Sequence, residues 1–320
     1  MKSKKELVIL ATCLFVIAII VASSTVYLVR KSNLDTDSYL KKAQVAMSGK
    51  KYENAILYYD QAIIYNKENS DLYNSKGQAL SKLERYDEAI ECFDKASEVN
   101  TKDYKGYEFK GQALIKLYKQ EDAIESFDKA IALNSRDNLS YTYKGIALYD
   151  LKRFDEAIIC FDEAIKISAK DSEAYNGKGR SLKELSKYED SLTCLDEAIK
   201  ISEKPEYYCN KAETLFAMGK YVEAKDCLEK AIGIDSKYAE AYSDEGVIST
   251  KLKKFDEALL NLNKAIDMDS KNYILYFNRS QCFLYMEKIE DSKKDLTKCL
   301  ELNPNFKEAQ IELNQLNQYK

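Results

Sequence analysis

The 320-residue chain contains no histidine and no tryptophan, only 2 prolines and only 10 glycines. Each shortage excludes something. Without imidazole there is no Ser-His-Asp or Cys-His nucleophilic machinery and no histidine-ligated metal. So few prolines and glycines cannot punctuate the many tight turns of an all-β fold. Excess positive charge is also missing, with 49 Lys and Arg against 53 Asp and Glu and a net charge of −4. Nucleic-acid binders neutralise phosphates with clustered Lys and Arg, so that partner class is disfavoured.

One long apolar run stands apart from this polar background. Leu7 to Val29 is a stretch of 23 residues without a charge, preceded by Lys2, Lys4 and Lys5 in a basic tail (1–6) and followed by Arg30 and Lys31 in a short linker (30–35). At ~1.5 Å rise per residue a helix over 7–29 spans ~35 Å, enough for a hydrocarbon core of about 30 Å. The rival is a cleaved signal peptide, whose apolar region is shorter, about 7–15 residues. The expectation is therefore a retained single-pass transmembrane helix and a membrane location. The flanking positive charges are close to a tie, with a lean to N-terminus inside and repeats outside. Leaving out Lys2, Lys4, Lys5, Glu6, Arg30 and Lys31, 44 basic and 52 acidic residues remain, a net charge of −8. That sign speaks again against phosphate binding, despite 25 tyrosines that could offer stacking surfaces.

Beyond the linker the chain repeats itself. Asp-Glu-Ala-Ile and its variants return every 34 residues, giving units 36–69, 70–103, 104–137, 138–171, 172–204, 205–238, 239–272 and 273–306, the fifth one residue short. Each has tyrosine at its fourth place, from Tyr39 to Tyr276, and a small residue at its eighth, such as Gly77, Gly111 and Gly246. The twentieth place is Ala or Ser. The twenty-seventh is Ala in seven units and Cys299 in the last. Places 4, 8 and 11 share one stripe of a first helix, and places 17, 20, 24, 27 and 28 one stripe of a second. Small residues at 8 and 20 allow close helix approach, large ones at 4, 17 and 24 fill the space beside it, and polar pairs such as Glu84-Arg85 make the turn between them. One such hairpin cannot bury its stripe alone, so the units must stack. Four cysteines, Cys92, Cys160, Cys194 and Cys227, occupy one slot in successive units. Equivalent positions on stacked helices lie at least ~8–10 Å apart, too far for a disulfide. Free thiols lean against an oxidising compartment, so the clues to orientation conflict.

This pattern resembles the tetratricopeptide repeat (TPR): a 34-residue period, Tyr for the motif's first Trp, small residues at 8, 20 and 27. It departs in having the expected Pro at place 32 only as Pro304, and in replacing Leu at place 7 by Lys76, Lys110, Lys144 and Lys178. Ser280, Ser292 and Cys299 suggest a less tightly packed last unit. Residues 307–320 look like the family's capping helix, with Ala309, Leu313 and Leu316 covering the last apolar face. The resemblance implies an all-α, right-handed α-solenoid of eight helical hairpins with a C-terminal cap. Its inner groove would be lined by places 2, 5, 9, 12 and 13 of each first helix and would bind a protein or peptide segment.

The groove places select candidate contacts. Amides at Asn74, Gln78, Gln112 and Asn176 can pair with an extended peptide backbone whatever its sequence. Ile115, Ile146 and Tyr149, with Leu139, offer an apolar patch, and Arg180 adds a charge. No unit carries the Lys at place 5 or Asn at place 9 with which TPR clamps hold the acidic C-termini of heat-shock chaperones. Other signals have plainer readings. Gly106 and Gly111 have the spacing that opens a phosphate loop but lack its Lys-Ser/Thr. Asp-Glu pairs such as Asp87-Glu88 start second helices, where they suit the helix dipole. No enzyme activity, cofactor or metal is expected. The function expected is a membrane-anchored protein-interaction scaffold or receptor. The alternatives are a non-catalytic subunit of a membrane enzyme or transport complex, and a self-assembling structural protein.

Overall fold

A computed structural model describes residues 34–318. The expected tail, transmembrane span and most of the linker lie outside the described residues. Among those described, no helix is long and apolar enough to cross a membrane, and there is no strand. The chain divides into two compact units, one ending at Leu151 and one beginning at Lys152. The first holds α1 (residues 34–48), α2 (Tyr52–Tyr65), α3 (Ser70–Lys82), α4 (Tyr86–Val99), α5 (Tyr104–Lys116), α6 (Gln120–Leu133) and α7 (Asn138–Asp150). The second holds α8 (Phe154–Ile167), α9 (Ser172–Glu184), α10 (Tyr188–Ile201), α11 (Pro205–Ala217), α12 (Tyr221–Ile234), α13 (Ala239–Lys251), α14 (Phe255–Met268), α15 (Tyr273–Tyr285), α16 (Ile289–Leu302) and α17 (Lys307–Gln318).

Within each unit, consecutive helices pack as hairpins, α3 on α4 and α5 on α6 in the first, α9 on α10 and α13 on α14 in the second. The small residues set the closest contacts. Every residue at place 20, from Ala55 to Ser292, and at place 27, from Ala62 to Cys299, is 0% exposed. Place 8 meets place 24 of the same hairpin: a Cβ on Gly77 would stand 2.4 Å from the Phe93 ring, and one on Gly111 2.6 Å from Phe127. The expected looseness of the last repeat is not borne out by its burial, because Ser280, Ser292 and Cys299 are as closed off as their counterparts. The helix contact needs small side chains, and Ser and Cys satisfy it as Ala does. The place-4 tyrosines are less buried than a core stripe implies. Tyr208, Tyr242 and Tyr276 are buried, but Tyr39, Tyr73, Tyr107, Tyr141 and Tyr175 are half-buried. A phenol packs its ring and keeps its hydroxyl where a polar partner or water can reach it; Tyr276 Oη donates to the Ser270 carbonyl at 3.2 Å.

Two recurring turns join the helices. Inside a hairpin, place 15 is left-handed: Lys50, Glu84, Tyr118, Lys152, Ser186, Lys253 and Glu287 have φ between 55° and 60°, and Gly219 has 76°. The next N–H then reaches back to the carbonyl at place 11, as Arg85 does to Leu80 at 3.0 Å and Lys254 to Ser249 at 2.8 Å, which satisfies carbonyls that the helix end leaves orphaned. Between hairpins, Asn100, Asn134, Asp235, Asp269 and Asn303 at place 31 accept from the backbone two residues on, as Asn100 does from Lys102 at 3.1 Å and Asp235 from Lys237 at 2.9 Å; Ser168 and Ser202 hold this place in the two remaining inner units. This Asx turn does the bending for which the family pattern uses proline. The lysines at place 7 also find a reason. Each pairs with an aspartate of the preceding hairpin: Lys76 with Asp60, Lys110 with Asp94 and Lys178 with Asp162 at 2.6 Å, Lys144 with Asp128 and Lys211 with Asp196 at 2.5 Å. All seven described cysteines are free, six of them buried. At the end of the chain, α17 lays Ala309, Leu313 and Leu316 on a cluster that includes Leu296 and Cys299.

Candidate partner-binding sites

First helices carry the candidate contacts in both units. In the first unit, a cavity of about 390 Å³ opens between α3 and α5. Gln78 and Lys82 form one side, Gln112 and Lys116 the other, with Met47 and Phe109 among the apolar residues between them. Of the residues singled out in sequence, the structure therefore brings Gln78 and Gln112 together, both half-buried. Ile115, also half-buried, leans on the cluster around Leu114 and Phe127. Ile146 and Tyr149 are half-buried on α7, and Leu139 at its start is 44% exposed.

Place 5 does not behave as a groove position. Asn74, Glu108, Thr142, Asn176, Cys209 and Ser243 are all at most 5% exposed. Asn74 Nδ2 donates to Asp103 Oδ2 at 2.7 Å, and Asn176 Oδ1 accepts from Asn210 Nδ2 at 2.7 Å. Both amides thus serve the contact between successive hairpins and are closed to a partner. The physical reason is stacking: the residue one helical step beyond the place-4 tyrosine faces the next first helix, not the open side. Arg180, in the second unit, is half-buried on α9.

Glu108 is the notable buried group of the first unit. Its Oε1 accepts from Gln112 Nε2 at 2.8 Å. Burial, with the Asp137 charge nearby, pushes its carboxyl up to about 7, against the pull of Lys105 and the Gln112 hydrogen bond.

The second unit has a larger cavity, about 530 Å³, whose wall includes Lys183 of α9, Glu213 and Phe216 of α11, Asp244 and Val247 of α13, and Asn278 of α15. Glu213, Glu240 and Asp244 each place one carboxylate oxygen within 4.8 Å of the other two. Burial, then Glu213 and Glu240, push the Asp244 carboxyl well above the usual range, and Lys183 opposes them.

Family models of the tetratricopeptide repeat match residues 36–69, 70–103, 110–172, 172–205, 205–238, 239–272 and 273–306. The chain belongs to the tetratricopeptide repeat family. Among solved structures, the TPR chain is similar over 87% of its length to the APC/C hetero-tetramer Cut9-Hcn1, at 14% identity and TM-score 0.66. It spans 55% of that relative's chain, about half. It is similar over 79% of its length to a TPR protein from Parabacteroides merdae, at 19% identity and TM-score 0.64, covering 99% of that chain. A third likeness, over 63% of its length and 92% of the other chain, is to Pseudomonas aeruginosa pilF, at 17% identity and TM-score 0.55. Identities this low establish the fold alone. No curated protein matches the sequence.

Within the TPR frame, the contacts selected from sequence, Asn74 to Arg180, all fall in the second to fifth repeats, and none of them lines the second unit's cavity. A signal was there: glutamate at place 2 in three successive units (Glu173, Glu206, Glu240), with Glu213 and Val247 at place 9 and Phe216 at place 12.

Proposed function

We propose that this TPR protein is a membrane-anchored scaffold or receptor whose first-helix faces, forming the groove of a right-handed solenoid, hold an extended segment of a protein partner. The observation that carries the reading is the first unit's cavity, where two amides, Gln78 and Gln112, flank an apolar floor on adjacent first helices. Carboxamides supply donor and acceptor together, which suits a peptide backbone, and the apolar floor accepts a side chain. Ile115, Ile146 and Tyr149 extend the surface within the first unit, and Asn74 supports it from within; Arg180, with Asn176 closed off nearby on α9, belongs to the first-helix face of the second unit. Anchoring rests on the 23 uncharged residues 7–29, and catalysis is no part of the reading.

The test uses tagged full-length protein, extracted gently from membranes, beside a Gln78→Ala/Lys116→Ala variant whose melting temperature is shown to match the parent. A stoichiometric partner that co-purifies with the parent and is lost from the variant supports the reading. The same partners on both proteins move binding away from this face. Recovery of the protein in the soluble fraction without detergent removes the anchor.

A further inference from the structure

The cavity of the second unit has an electrostatic imbalance that its own residues do not relieve. Glu213 stands on α11, and Glu240 and Asp244 stand one turn apart on α13. Three carboxylate oxygens therefore converge within 4.8 Å of one another. Asp244 Oδ2 is fully buried and accepts no hydrogen bond. A buried acceptor without a donor is a costly arrangement in a folded protein. Lys183 faces the cluster, and its ammonium contacts Glu213 closely and Glu184 at 3.3 Å. Beyond the acidic corner, the cavity wall turns apolar, with Ala212, Phe216, Val247 and Ile248.

We propose that this cavity is a clasp for an arginine side chain carried by a partner segment, with Asp244 and Glu213 of its wall receiving the guanidinium and the exposed Glu240 beside them adding its charge. The inference rests on the reading that the TPR faces bind protein segments, and names the chemistry one face takes. A guanidinium presents five N–H donors in a flat fork and no acceptor. It can bridge the Asp244 and Glu213 carboxylates that line the cavity, stack its plane on Phe216, and lay its methylenes along Val247 and Ile248. A volume of about 530 Å³ suits such a side chain and its backbone and far exceeds what an ion needs.

The test selects random peptides from a displayed library on full-length protein held in lipid nanodiscs. Selected peptides are resynthesised with their arginine intact or replaced by citrulline, which keeps the shape and removes the charge. Enriched peptides share an arginine, and citrulline weakens their binding about 10- to 100-fold. Asp244→Asn and Glu240→Gln cause a comparable loss for the arginine form and leave the citrulline form unchanged. Asp244→Asn keeps the fold, read by helix content and melting temperature, because it removes a buried charge without changing shape.

Peptides that bind without a basic residue and ignore Asp244→Asn, yet are lost on Gln78→Ala/Lys116→Ala, overturn the clasp and leave the scaffold reading standing. A library that yields no binder overturns both. Millimolar calcium chloride that raises the melting temperature of the parent but not of Asp244→Asn assigns the carboxylates to a metal and overturns the proposal.

Discussion

Each unit of the molecule closes off a carboxylate oxygen on a first helix, and the two are handled differently. In the first unit, Glu108 is 4% exposed and is met by the amide of Gln112, one turn away on its own helix. In the second, Asp244 has an oxygen that nothing meets, and Glu213 and Glu240 crowd it. The first arrangement is relieved from within: one N–H of Gln112 meets Glu108 inside α5, and the rest of that amide still lines the cavity. The second is open: no hydrogen bond reaches Asp244 Oδ2. The two carboxylates stand at neighbouring places of their repeats, Glu108 at place 5 and Asp244 at place 6, and burial alone does not tell them apart. The partner of the buried group does.

The sharpest way to break that comparison is pH. Glu108 binds its proton up to about 7 in the folded chain, against an ordinary value of 4.5. Below about 4.5 both folded and unfolded forms hold the proton, and Glu108 has no effect on stability. As pH rises from there to about 7, the unfolded form releases its proton first, so folding loses up to about 3 kcal/mol, and the loss is complete above 7. Glu108→Gln keeps the contact with Gln112 and removes the charge. Denaturant melts should show the variant equal to the parent near pH 4 and more stable by up to about 3 kcal/mol at pH 8. Two superimposable pH profiles would mean that Glu108 is solvated. Gln112→Ala works in the opposite direction. It takes the donor from a buried carboxyl and should cost about 1–3 kcal/mol, more at pH 8 than at pH 5.

Asp244→Asn should have the opposite sign to Gln112→Ala, because here the parent carries the unrelieved group. The Asp244 carboxyl lies well above its ordinary range, so the unfolded chain again loses its proton first and stability falls as pH rises past the ordinary aspartate value. At pH 7 the variant should gain about 1–2 kcal/mol in the absence of any ligand, read as a higher denaturation midpoint at constant slope. A loss instead would show that Asp244 already has a satisfying partner, and the contrast with Glu108 would collapse.

The period, the hairpins and the identity of the innermost residues could be read from the sequence, because a stripe of Ala and Ser at places 20 and 27 is the direct imprint of helix contact. Which first-helix residues face outward was harder. Places 5 and 9 are four apart and share a helix face, yet Asn74 is closed off while Gln78 lines a cavity. That difference comes from the neighbouring hairpin, which no single unit's pattern contains. The lysines at place 7 looked like departures until their aspartates, 15 or 16 residues earlier, became neighbours through stacking. The acidic cavity was legible as letters but not as a cluster, since Glu213 and Asp244 meet only when α11 and α13 lie side by side.

Glycines offer a subtler contrast between the units. Gly111 in the first unit has no room for a side chain, with Phe127 at 2.6 Å from its ideal Cβ; Gly233 in the second has nothing within 4 Å. Gly111→Ala should destabilise by about 1–3 kcal/mol through overpacking. Gly233→Ala, late in α12, should stabilise by roughly 0.5–1 kcal/mol through helix propensity. Urea melts of the two variants should therefore move in opposite directions from the parent.

The smallest expected effects come from the left-handed turns, where the units differ by one residue type. Tyr118 at φ 58° occupies in the first unit the position that Gly219 at φ 76° occupies in the second. A side chain there brings Cβ close to the backbone and costs about 1–2 kcal/mol, offset in part because glycine loses more freedom on folding. Tyr118 is 87% exposed, so its ring has little packing to lose. Tyr118→Gly should gain a few tenths to about 1 kcal/mol, and Gly219→Ala should lose about as much, even though open space surrounds Gly219. Equal and opposite shifts in melting temperature would assign the effect to backbone conformation. A loss in both variants would instead place the Tyr118 ring in a contact, and would make the first unit's turn the more specialised of the two.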